Sequence, residues 1–188
     1  MIAVISQLLT AFGLASASGL NAYIPLLLVA LAARFTTLLK LNPPFDILTN
    51  EWVIGALVVL LAIEIVVDKI PAADSVNDII QTFIRPAAGA ILFAASTNTI
   101  LQLHPIVAAV LGLVLAFGVH ATKAAARPVI GVATAGIGNP IVSTLEDLTA
   151  AGVSILALVL PFVIGLIILF VVFGSMGWLR RRQRTKLG

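Results

Sequence analysis

Residues 68–89 read DKIPAADSVNDIIQTFIRPAAG. Three of the chain's eight acidic residues, Asp68, Asp74 and Asp78, fall inside this stretch, and a fourth, Glu64, lies just before it, in a sequence that is otherwise almost continuously apolar. Pro71 cannot continue a helix hydrogen-bond ladder, so the preceding helix is expected to end there. Ser75 followed three residues later by Asp78 reads as a capping box that opens a new, short helix. On that helix Val76, Ile79, Ile80, Phe83 and Ile84 fall on one face and Asp74, Asn77, Asp78 and Gln81 on the other, and Arg85-Pro86 is expected to close it. One reading is an amphipathic helix lying on the membrane surface. Surface helices, however, carry Lys and Arg on the polar face to meet anionic lipid, whereas this face is acid and amide until Arg85. The other reading therefore turns the face toward a protein interior or an aqueous vestibule.

The same run, together with GLNAYIPLL at residues 19–27, resembles a family of small bacterial integral-membrane proteins known only as a domain of unknown function. The resemblance covers most of the chain. It implies a membrane protein and brings no substrate, cofactor or catalytic residue with it.

Composition points the same way. Apolar residues make up 61% of the chain, charged residues 10%, and the mean hydropathy is +1.17, against roughly half apolar and a quarter charged in soluble domains. A chain of 188 residues has room for roughly six or seven membrane-spanning helices and no separate extramembrane module. The expected fold is all-α, a polytopic transmembrane bundle of one domain, 1–188, with residues 178–188 as a basic cytoplasmic tail. Without cysteine there is no disulfide framework and no thiolate metal site. Arg180, Arg181, Arg182, Arg184 and Lys186 read as a juxtamembrane anchor rather than a nucleic-acid patch. The expected partners are the lipid bilayer and an unidentified small molecule or ion, with self-association left open and no cofactor.

Taken from the start, residues 1–18 form a first helix that lacks the positive flank of a signal peptide. Gly19-Leu20-Asn21 interrupts it, a second helix runs to about Leu39, and residues 40–51 form a loop. A third span, 52–69, carries Glu64 deep in apolar sequence. A carboxylate there costs about 2.5–3.5 kcal/mol on insertion scales, so it should face the bundle and have a partner; Asp68 follows one turn on. A fourth span is expected over 86–102, a turn at His104-Pro105, a fifth span over 106–122 with His120, and a basic loop from Lys123 to Pro128. The sixth span, 129–150, is broken at Gly136-Ile137-Gly138-Asn139-Pro140 and carries Glu146 and Asp147; the seventh is 153–178. With the N-terminus outside and the tail in the cytoplasm, nine of the eleven basic residues fall on the cytoplasmic side of what would be an inner (plasma) membrane.

An internal echo adds to this. Gly13–Asn21 and Gly131–Asn139 share Gly, Ala, Ser/Thr, Ala and Asn at the same offsets, and Arg85-Pro-Ala-Ala-Gly89 echoes Arg127-Pro-Val-Ile-Gly131. Paired helix interruptions at Asn21 and at Gly138-Asn139-Pro140 are what an inverted-repeat transporter shows around its site. The leading expectation is accordingly a transporter or channel for a small solute, ion or lipid, using Glu64, Asp68, Asp74, Asn77, Asp78, His120 and Asp147, with Glu64 and His120 placed to pair or relay a proton. The alternative is a non-catalytic membrane scaffold, in which the Gly/Ala-rich spans serve close helix packing and fixed bases such as Lys69, Lys123 or Arg127 neutralise the acids. An enzyme has the least support, because no nucleophile or zinc motif is present. A hard-cation site built from Asp68, Asp74, Asn77 and Asp78 would suit Mg²⁺ or Ca²⁺, although the spacing matches no known loop.

Overall fold

The computed structural model describes residues 1–68, 71–97, 103–134 and 138–184, and these are mostly helical with no strand among them. Seven α-helices follow in order: α1 (Ile2–Ser18), α2 (Tyr23–Phe35), α3 (Glu51–Val67), α4 (Pro71–Thr97), α5 (Pro105–Ala133), α6 (Gly138–Val159) and α7 (Pro161–Arg184). A short 3₁₀ turn, Phe45–Thr49, lies in the loop before α3. Asn50 caps α3 by accepting from the Trp52 amide at 2.9 Å, and Arg34 at the end of α2 pairs with Glu51, which ties the two helices together across that loop.

Helix α1 is the central element and packs against α2, α4, α5, α6 and α7, while α4 and α5 form the most extensive pair. Small residues set these approaches. A side chain on Gly89 would strike Ala116 Cβ and the Gly112 carbonyl, one on Gly19 would strike the Ala116 carbonyl, and one on Gly13 would strike Ala157 Cβ. With lipid as solvent, helices gain little from hiding apolar surface from one another and associate instead by close backbone contact.

Burial is inverted relative to a soluble protein. Ile79, Ile80 and Phe83 on α4, Val110, Val114 and Phe117 on α5, and Leu166 to Phe173 on α7 are exposed, whereas Glu64, Asp68, Gln81, Arg85, His120, Lys123 and Arg127 are buried. That is the distribution a hydrocarbon surround demands. Among the described residues, three helical segments are long and apolar enough to cross a membrane, Ile79–Thr97, Pro105–Ala133 and Gly138–Val159.

Several boundaries differ from those expected. Helix α4 begins at Pro71, where the missing N–H belongs to the unpaired first turn anyway, and not at Ser75. It also runs unbroken through Pro86 to Thr97. Arg85, Pro86, Ala88 and Gly89 are all buried, so packing holds the helix across the one hydrogen bond the proline removes. The expected basic loop, Lys123 to Pro128, is likewise helical and lies within α5. Ala108, Gly112, Ala116, His120, Lys123 and Arg127 are its buried positions, spaced by four or three, so the two bases are the polar end of one inward stripe. The break expected near Asn139 therefore falls between the end of α5 and the start of α6, and residues 135–137 lie outside the described residues. The next boundary falls at Leu160-Pro161, not at 150–153. His104-Pro105 starts α5 as expected, the His104 ring accepting from the Ile106 amide at 3.3 Å.

Candidate functional site

The inward face of α4 meets the end of α3, and among the described residues the polar side chains gathered around it form a network of three neighbouring hydrogen-bonded groups. On α4, Gln81 and Arg85 are one turn apart and buried, while Ile79, Ile80 and Phe83 point out. The amphipathic element thus turns its polar side into the bundle. Arg85 is fully buried and donates from Nη2 to Glu64 Oε1 at 3.0 Å. Its Nη1 lies 3.2 Å from His120 Nδ1, and His120 Nε2 lies 3.0 Å from the Thr82 hydroxyl. A guanidinium can only donate, so Nδ1 accepts; the ring is neutral and carries its proton on Nε2, facing Thr82. Glu64 and His120 are therefore joined, with Arg85 as the bridge.

A second group continues from Asp68, at the C-cap of α3. Asp68 Oδ1 accepts from Asn77 Nδ2 at 2.7 Å, and Oδ2 accepts from the Ser143 hydroxyl at 3.1 Å and lies 3.7 Å from Arg127 Nη2. Arg127 also contacts Glu146 at 3.0 Å, and Glu146 pairs with Lys123 at 2.8 Å. Lys123 donates in addition to the Leu20 carbonyl, 3.1 Å away, in the gap between α1 and α2. Asn21, in the same gap, accepts from the Tyr23 and Ile24 amides at 3.0 Å each and donates to Asp147 Oδ1 at 2.9 Å. It caps α2 and ties it to α6 with one side chain.

Of the residues singled out from sequence, Glu64, Asp68, Asn77, His120 and Asp147 stand in this network, and Asn21 joins it. The side chains of Asp74 and Asp78 lie outside the described residues, as does Lys69. Gly138, Asn139 and Pro140 form the first turn of α6, about 12 Å along that helix from Asp147 at 1.5 Å per residue. The network thus includes Asn21 and leaves the α6 break at its edge. For the hard-cation site, Asn77 points its amide nitrogen at Asp68, which is a donor and not an oxygen ligand. No group of three or more His, Cys, Asp or Glu among the described residues could hold a metal ion. Sequence reasoning missed Arg85 and Ser143 as site residues; Glu146 was noted only as an acid of the sixth span, and Lys123 and Arg127 only as neutralising bases of the scaffold alternative. The anticipated base Arg127 does face Asp68, but the partner of Glu64 is Arg85, which had been read only as a helix end.

One cavity borders the network and another lies at the far end of the bundle. One, of about 530 Å³, is walled by Leu20, Val114, Gly118 and Val119 and has Lys123 and Glu146 in its lining. The other, of about 450 Å³, is lined by Ser6, Gln7, Thr10, Lys40 and Ser96 and lies at the opposite ends of α1 and α6. Glu146 and Val159, which border the two, are about 20 Å apart along α6. Compared with known proteins, neither a curated protein nor a solved structure matches this chain. The family model for a domain of unknown function (DUF4126) matches residues 8–181.

Proposed function

The chain belongs to the DUF4126 family, and from that premise we propose that it is a multi-pass transporter or channel that moves a small solute or ion past the buried network of Glu64, Arg85, His120, Asp68, Arg127 and Glu146. The carrying observation is the set of ionisable groups in the core of an apolar bundle, reached at Lys123 and Glu146 by an external groove. Ionisable side chains inside a membrane bundle are costly and mark ion or substrate pathways. The second cavity, at the far end of α1, supplies the other mouth. All seven helices cross in this reading, with the N-terminus outside and the basic tail in the cytoplasm of an inner-membrane protein. The Arg-Pro echo favours an inverted repeat in that Arg85, in the middle of α4, and Arg127, toward the end of α5, each face an acid at the end of α3. No catalytic residue and no cofactor are proposed.

One observation favours the scaffold alternative: Glu64 and Asp68 both have a fixed cationic neighbour, as purely structural acids would. Reconstitution separates the two. The full-length protein in proteoliposomes, loaded with a pH-sensitive dye and challenged with proton, sodium and potassium gradients, should dissipate at least one of them, and Glu64→Gln should abolish that flux while remaining folded. Wild-type vesicles as tight as empty liposomes to all three, combined with a Glu64→Gln protein that unfolds, would favour the scaffold.

A further inference from the structure

The cavity of about 450 Å³ at the far end of the bundle is lined largely by uncharged polar groups. Helix α1 presents Ala3, Ser6, Gln7 and Thr10 to it, a helical spacing that lays the four on one face, and α4 adds Ser96. Ser96 is 1% exposed, yet its hydroxyl has no hydrogen-bond partner among the described residues. Other helical hydroxyls of the bundle are satisfied on carbonyls: the neighbouring Thr97 donates to Phe93 at 2.9 Å, and Ser154 donates to Ala150 at 2.6 Å. A serine in a helix can bond back to the preceding turn in the same way. Ser96 instead lines the cavity with an unmet donor and acceptor, and a buried polar group left so calls for a bound partner.

The chemistry of that partner follows from what the lining can still offer. Thr10 gives its proton to the Ala157 carbonyl, 2.8 Å away, so toward an occupant it only accepts. Ser96 can both donate and accept. A carboxylate, which only accepts, finds no donor at Thr10. An ammonium, which only donates, meets no carboxylate among the described residues of the lining, whose one charged side chain is the exposed cation Lys40. The helix ends favour neither sign, since α4 and α6 bring their carbonyl ends to the cavity and α1 and α7 their amide ends. A hydroxyl group meets both demands, and Leu39, Leu158 and Val159 give the carbon skeleton behind it an apolar wall. We propose that this cavity is a binding site for a small uncharged polyol, whose hydroxyl groups donate to Thr10 and share hydrogen bonds with Ser96. The site stands on the cavity and its hydroxyls; only the passage of the polyol onward through the bundle rests on the transport reading.

The test is saturation-transfer NMR on the full-length protein in lipid nanodiscs with glycerol, glycerate and serinol, three probes of one carbon skeleton that are neutral, anionic and cationic. Glycerol should show saturable transfer that neither charged probe matches. Ser96→Ala should keep or raise the melting temperature of the free protein, because it removes a buried unpaired hydroxyl, and should weaken glycerol binding about fivefold, the weight of one neutral hydrogen bond. Ser6→Leu, which fills the cavity from its half-buried wall, should abolish the transfer, and it decides the matter if Ser96→Ala fails to fold. Glycerol transfer that is absent, or that is equal in wild type and the folded variants, overturns the proposal and leaves Ser96 to ordered water only. Stronger transfer to glycerate or serinol overturns it as well. A glycerol gradient across proteoliposomes then separates site from passage. Binding without vesicle swelling refutes transport of the polyol and leaves the site standing, whereas swelling unchanged in Ser6→Leu counts against the site while the transport reading survives.

Discussion

Arg85 and Glu64 differ in what their loss should cost. Replacing Arg85 with Gln strands the acids of the network, and removing one partner of a buried pair typically costs about 3–5 kcal/mol. Arg85→Gln should therefore lower the melting temperature in detergent sharply, and the double variant Arg85→Gln/Glu64→Gln should recover part of the loss; additive losses would show that the two do not interact. Glu64→Gln alone mimics the protonated acid and should be the milder single change. Asn21→Ala removes the cap of α2 and the bond to Asp147 and should cost about 0.5–2 kcal/mol. The acids were legible in the sequence because a carboxylate in an apolar run stands out. The bases were not. Arg85 precedes a proline and Lys123 and Arg127 cluster, and both patterns normally mark helix ends and loops. The signal that could have found them was the four-and-three spacing from Ala108 to Arg127, which continues the small-residue stripe of α5 through the charges.

Glycines divide into two kinds at the scale of the helices. Gly112 and Gly89 lie where α4 and α5 touch backbone to backbone, whereas an added methyl group on Gly118 of α5 meets nothing within 4 Å. Gly112→Ala should weaken the pair and broaden the folded peak in size-exclusion chromatography. Gly118→Ala, on the same helix, should be neutral or stabilise by up to about 1 kcal/mol through helix propensity; equal damage from both would rule out the contact as the cause. Helix existence was readable from hydropathy, and the breaks at Asn21 and His104 from local chemistry. The continuity of α4 and α5 was not, since it depends on partners distant in sequence that hold Pro86 and Pro128 inside a helix.

For the molecule as a whole, the seven-crossing reading fixes where each connection emerges. Reporter fusions after Thr134 and after Gly188 should give a cytoplasmic signal, and fusions after Pro44 and His104 an external one; an external signal at Thr134 would invert half the bundle. Lys123 is not a suitable fusion point, because it lies inside α5. In that reading the crossings are also unequal. Helix α2 has 13 residues, about 20 Å, beside α5 with 29, about 44 Å, and a bilayer core is about 30 Å thick. Lipid around α2 must then thin or headgroups must sink toward it, while α5 tilts or protrudes, and each ångström of mismatch has its own elastic cost. The protein should accordingly sort by bilayer thickness. Its melting temperature in nanodiscs should rise as the acyl chains are shortened from long to medium length and fall again when they become shorter than the α5 stripe tolerates, so that the chain reads the thickness of its host membrane through the difference between two of its own helices.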